Sequence, residues 1–169
     1  MADKDLFEMK LSILMKEWDY TQTHIGRLDT IIFNVRQWSV TILAGFFAGA
    51  VATRSPNVML AAMVSIVLLW INEAVWKVFQ KYFTTRSQDI EAYLSSNTFA
   101  SDVETRTLGF VTPSMGAQFR SGTIGNRARA VLIAAGLRNV VLVHASLLVI
   151  CIVSYMFLKF GMDSPTAPR

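Results

Sequence analysis

The sequence predicts an all-α integral membrane protein, in which a transmembrane helical hairpin with long cytoplasmic helical extensions is joined by a third transmembrane helix. The first reason is the distribution of charge. No Asp, Glu, Lys or Arg occurs from Gln37 to Thr53, from Ser55 to Asn72, or from Asn139 to Leu158. At 1.5 Å per helical residue each run reaches, or nearly reaches, across about 30 Å of hydrocarbon. The second reason is composition. Apolar residues make up 53% of the 169-residue chain and mean hydropathy is +0.40, more than a soluble domain of this size needs. A third reason is the helical periodicity of the polar segments that flank the first two runs.

The first segment, 1–37, reads as a cytoplasmic amphipathic helix. Phe7, Leu11, Leu14, Trp18, Thr21, Ile25, Leu28, Ile32 and Val35 recur at alternating spacings of four and three. Such a seam favours a left-handed contact with another helix. The register continues through Ser39, Ile42 and Phe46, and only Gly26 interrupts the polar part, so one helix from near Phe7 to near Ala52 is expected. It would be roughly 65–70 Å long. With acids and bases mixed throughout 1–37, no signal peptide is expected.

The transmembrane hairpin occupies 38–76, with spans at 38–53 and 58–76. Arg54-Ser55-Pro56-Asn57 forms the turn, because proline suits the first turn of the helix that follows. The second helix continues past Lys77 with its own seam of Trp76, Phe79, Phe83, Arg86, Ile90 and Tyr93. The polar arms leave the same end of one hairpin, so the two seams are each other's simplest partner, as an antiparallel pair projecting beyond the membrane. Segment 77–125 is thus a return helix followed by an irregular linker from Ser95, rich in Ser, Thr and Gly, with a weak alternation at Thr107–Thr112. A third helix spans 126–160, its membrane part at 139–160, and 161–169 reads as a disordered tail.

Orientation follows from basic residues. Lys4, Lys10, Lys16, Arg27, Arg36, Lys77, Lys81, Arg86, Arg106, Arg120, Arg127 and Arg129 fall on one side; Arg54, Lys159 and Arg169 fall on the other. The richer side is cytoplasmic by the positive-inside rule. The expected location is therefore the inner (plasma) membrane, multi-pass, with the amino terminus in the cytoplasm. The net charge of +4 is read as this topology and not as nucleic-acid binding.

Three sets of residues are candidates for function. Asn34, Arg36 and Gln37, with Asn72 and Glu73, and Arg138 and Asn139, fall at similar depth near the cytoplasmic ends of the spans. Ionisable groups at that level are costly unless paired, so they are either a gate lining or a structural lock in which Glu73 pairs with Arg36, Arg138 or Lys77. Gly45 and Gly49 form a GxxxG that suits close helix packing, either against Ala61 and Ser65 of the hairpin or between copies. Arg106, Arg120, Arg127 and Arg129 lie among linker glycines and are candidate ligand or lipid contacts. His144, inside the third span, reads as a buried hydrogen-bonding group with no acid at hand for a proton relay. No Walker-type loop, nucleophile–base set, paired carboxylates or metal-ligand spacing can be assembled. No enzymatic activity, metal or cofactor is therefore expected.

The stretch Glu17-Trp18-Asp19-Tyr20, the lead-in Arg36-Gln37-Trp38, the turn at Pro56 and the return from Trp76 to Arg86 with Ile90-Glu91 resemble SLATT-type effectors. These are small bacterial helical-hairpin membrane proteins of nucleotide-signalling and phage-defence loci. The resemblance covers 1–94. It implies an oligomeric, membrane-perturbing effector held silent until a cytoplasmic signal arrives. The uninterrupted helix joining stalk to span one leads to the expectation of a homo-oligomeric regulated pore or membrane-perturbing effector that answers a soluble protein partner or a nucleotide signal. The competing expectation is a membrane anchor or sensor subunit that recruits a soluble partner through its helical stalk.

Overall fold

A computed structural model describes residues 2–114 and 123–162. They form α1 (Ala2–Thr53), α2 (Val58–Leu94), α3 (Asn97–Thr105), α4 (Ile124–Ala135) and α5 (Arg138–Met162), with no strand among the described residues. Contacts divide the chain into two compact units: Met1–Thr30 with Val78–Arg127, and Ile31–Lys77 with Ala128–Arg169.

In the first unit α1 and α2 run antiparallel, as the facing seams require. Leu14, Ile90 and Leu108 are buried together, with Phe7, Leu11, Trp18, Tyr93, Leu94 and Phe110 packed around them. The ladder of polar contacts descends one helix as it climbs the other: Trp18 Nε1 donates to Glu91, Gln22 Nε2 to Ser87 Oγ, and Gln80 Nε2 to Asp29. One residue outside the expected seam joins it. Glu17, only 3% exposed, is buried between Leu14 and Thr21, while Trp18 packs half-buried against the same core. The Arg86 charge opposite holds Glu17 inward.

The linker is less irregular than expected. The nine-residue α3 begins where Ser96, in extended conformation, accepts the Phe99 amide hydrogen, a standard N-terminal cap. It ends at Arg106, whose φ of 54° is left-handed, with Thr107 N bonded to Asp102 O and Arg106 N to Val103 O. This is the Schellman closure, with arginine in the place glycine usually takes. Polar, cap-rich composition hid a helix too short to show an apolar period. No strand forms at Thr107–Thr112: the Thr107 and Gly109 amides go to Asp102 of α3, the Val111 carbonyl to Arg86 of α2 and the Thr112 hydroxyl to Glu17 of α1.

In the second unit Leu43, Ala50, Met59, Ala62, Ile66, Leu147, Cys151 and Leu158 form one apolar core drawn from α1, α2 and α5. The hairpin closes through a second Schellman motif, with Arg54 at φ 51°, Ser55 N on Ala50 O and Arg54 N on Val51 O. The buried Ser39 is satisfied by its own helix, through Val35 O at 2.9 Å. The third helix breaks at Gly136 where one continuous helix was expected: Gly136 N reaches back to Leu132 O and Ile133 O, and Val140 N then starts α5 from Leu137 O. Glycine weakens a helix interior by about 1 kcal/mol relative to alanine, and here the chain uses that weakness. α5 also runs on to Met162, past the expected start of the tail; the rest of that tail lies outside the described residues.

Helices α1, α2 and α5 are long and apolar enough to cross a membrane. Of their most apolar 18-residue stretches, only 22%, 28% and 22% is buried within the chain. Phe47, Val64, Leu68, Val149, Val153 and Phe157 are among the large apolar side chains left exposed.

Candidate functional site

Three helices each place one ionisable side chain at a single point inside the second unit. Glu73 of α2 is fully buried. Arg36 of α1 grips its carboxylate with two nitrogens, Nε lying 3.0 Å from Oε1 and 3.2 Å from Oε2 and Nη2 also bonding Oε1. This forked geometry is one that lysine cannot supply. His144 of α5, also fully buried, meets Oε2 through Nε2 at 2.9 Å. Trp70, one turn before Glu73, lies parallel to the imidazole with ring centres 5.9 Å apart. The break before α5 matters here. The Ala135 carbonyl, at the end of α4 where the helix ladder stops, accepts the Trp70 indole hydrogen at 3.1 Å. Val35, Ala74 and Val140, which precede or follow the cluster residues along α1, α2 and α5, are all essentially buried. One polar atom there is left alone: among the described residues, His144 Nδ1 is buried without a hydrogen-bond partner.

Of the polar set expected at this depth, the structure gathers Arg36 and Glu73, with the Asn139 carbonyl 3.4 Å from Arg36 Nη2. Asn34 and Asn72 are half-buried and Arg138 exposed, and none of the three hydrogen-bonds Glu73. Arg36, not Arg138 or Lys77, is the arginine or lysine on Glu73. The reading that gave His144 no acid is overturned: Glu73 is that acid. Counting turns from the polar end of each span places both about one turn inside, a signal the sequence carries.

No protein-family model matches the chain, and no curated protein and no solved structure is found that matches it. The site therefore rests on its geometry.

The first unit holds a second buried charge pair. Arg86 binds Glu17 through Nε to Oε1 at 2.9 Å and Nη2 to Oε2 at 3.1 Å. Glu17 further accepts the Thr112 hydroxyl and, at 3.0 Å, the Ser114 amide. Arg86 donates to Val111 O at 2.8 Å and lies over the Phe110 ring. Burial alone would raise the Glu17 carboxyl; the hydrogen bonds from Arg86, Thr112 and Ser114 and the Arg86 charge outweigh it and hold the group below its ordinary value. Tyr93 donates to Asp102, which also takes the Gly109 amide at 2.9 Å. Burial and the Asp102 carboxylate push the Tyr93 phenol up, while the Tyr93 and Gly109 donors pull Asp102 down. Together these bonds pin residues 108–114 onto α1 and α2. Sequence reasoning missed Glu17, although an arginine in the seam of α2 asks for an acid in the seam facing it.

The remaining candidates scatter. Gly45 meets open space within the chain, and Gly49 faces Val58 Cγ1 at the 3.8 Å a Cβ would leave. Ala61 is exposed; Ala62 and Ile66, one position on, make the hairpin contact expected of Ala61 and Ser65. Arg106 lines a cleft of about 230 Å³ with Leu6, Phe7, Lys10 and Thr107. Arg127 and Arg129 are exposed on α4, and Arg120 lies outside the described residues.

Proposed function

We propose that the chain is a multi-pass protein of the plasma membrane, amino terminus in the cytoplasm. It assembles as a homo-oligomer and acts as a regulated pore or membrane-perturbing effector, in the setting of bacterial antiphage defence. The observation that carries this reading is the Arg36–Glu73–His144 cluster at the heart of three helices whose outer surfaces are apolar. Ionisable groups at such depth are expensive and are functional candidates by default. Here one carboxylate ties α1, α2 and α5 at one level, so its release loosens the three together there. The first unit, with its pinned segment 108–114, is the part that receives a protein or nucleotide signal. Reconstitution into dye-loaded liposomes tests this. Release above that of empty vesicles, and altered in Glu73→Gln, is the expected result; sealed vesicles under every cytoplasmic fraction and nucleotide tried would overturn it.

A second reading, an anchor subunit that recruits a soluble partner, draws on the same pinned segment. A stable co-purifying complex with no dye release would favour it.

A further inference from the structure

Between Glu104 and Asp163 the chain carries no acid, yet Arg106, Arg120, Arg127, Arg129 and Arg138 all fall in that stretch ahead of the third span. Two of these arginines, Arg129 and Arg138, stand in the second unit where α4 meets α5. Both are exposed, and among the described residues neither has an ion-pair partner.

In this part of α4 the faces are reversed from those of a helix packed in a water-soluble domain. The inward face is small: Ala134 is buried, and Ala130, Val131 and Ala135 are half-buried. The larger aliphatic side chains turn out, Leu132 being 73% exposed, Ile133 60%, and Leu137 in the break 43%. Arg129 precedes Leu132 and Ile133 by three and four residues and so shares their outward face. A face that mixes a guanidinium with bare aliphatic side chains suits neither water nor hydrocarbon alone. It suits the boundary between them, where the long stem lies along apolar surface and the charge reaches the head groups.

The fold places this face at such a boundary. The Ala135 carbonyl accepts the Trp70 indole hydrogen, and the Asn139 carbonyl lies 3.4 Å from Arg36 Nη2. Arg36 immediately precedes the uncharged run of α1, and Trp70 lies two residues before the end of the run in α2. The break between α4 and α5 is thus fastened on both sides to the edge of the apolar layer. Arg129 and Arg138 also bracket the exposed aliphatic residues. Plunging into hydrocarbon, the segment would take one guanidinium with it at a heavy cost; lying along the edge, it keeps both among head groups. We propose that the α4–α5 junction is a binding surface for anionic phospholipid. Leu132, Ile133 and Leu137 enter the outer acyl region, and Arg129 and Arg138 hold head-group phosphates.

This inference rests on the membrane placement of the chain and not on the pore. Because Cys151 is buried, an introduced cysteine takes a thiol-reactive fluorophore alone. Full-length Ile133→Cys and Val149→Cys, the latter at an exposed site midway along α5, are labelled in bilayers that carry nitroxide-bearing lipids. The label at 133 should be quenched best by a nitroxide near the head group, and the label at 149 by one deep in the acyl chain. At equal mole fraction, nitroxide-bearing phosphatidylglycerol should quench position 133 with a higher apparent association than phosphatidylcholine, by roughly fivefold for each arginine engaged. Raised salt should bring the two lipids level without any change to the arginines. Arg129→Gln with Arg138→Gln should do the same, while the paired lysine substitutions keep most of the preference. Equal quenching by the two lipids, or a preference unmoved by salt or by the glutamines, overturns the proposal. Loss of the preference to inorganic phosphate at constant ionic strength would assign the arginines to a soluble anion and overturn it too. A label at 133 beyond reach of the shallow quencher, with 149 still answering the deep one, overturns the proposal and leaves the membrane reading standing. If 149 answers neither quencher, the membrane reading itself falls and takes the proposal with it.

Discussion

At Glu17 a carboxylate almost shut off from water collects Arg86, Thr112 and the Ser114 amide, so its removal leaves Arg86 buried and uncompensated. Breaking one side of such a pair costs about 3 kcal/mol or more. Glu17→Ala should therefore lower protection of α1 and α2 amides in the first unit by that amount in hydrogen exchange, with a change under about 1 kcal/mol arguing that Arg86 finds another partner. The acid dependence follows from the same bonds. Because the folded value lies below the ordinary 4.5, the stabilisation is complete above that pH and is lost as pH falls through the lowered value. Glu17→Gln should remove this acid limb of the stability curve and leave the neutral plateau flat. Arg106 carries the opposite kind of cost. A left-handed non-glycine residue is strained by about 1 kcal/mol, so Arg106→Gly should raise the melting temperature slightly if the side chain only closes α3. A lower melting temperature would place a stabilising contact on that guanidinium.

At the scale of helices the sequence was most legible where the pattern was long. The boundaries of α1 and α2, the four-residue turn and the antiparallel seams all follow from periodicity and from Pro56. What escaped was local. Glu17 is buried beside the seam residue Trp18, and an apolar period does not mark an acid that Arg86 draws inward. Gly136 reads as tolerable inside a helix until tertiary contacts, here the Trp70 bond to Ala135, favour the break. α3 is coded by its caps and not by an apolar stripe. The GxxxG was legible as a packing surface but not in its partner: within the chain Gly49 meets Val58, and Gly45 meets nothing. Alanine at position 45 should thus gain up to about 1 kcal/mol of helix stability in the monomer. If crosslinking between copies falls while the monomer melts higher, the open face is where subunits meet; if the monomer itself melts lower, the face is covered within the chain.

For the molecule as a whole, α1, α2 and α5 leave exposed an apolar surface long enough to suit a bilayer. The chain should sediment with membranes and resist alkaline carbonate, and recovery as a monodisperse particle without detergent would contradict the membrane reading. Cys151 bears on how any of this is measured. It is the one cysteine of the chain, fully buried, with its thiol turned onto the Met59 carbonyl at 3.4 Å. Maleimides and spin labels should pass it by while the helices stay packed. A cysteine introduced at Ser55, in the hairpin turn, or at Ser101, on α3, would then be the sole reactive handle in an otherwise native background. Which face of a sealed cell each one answers from can be read without first engineering the natural thiol away.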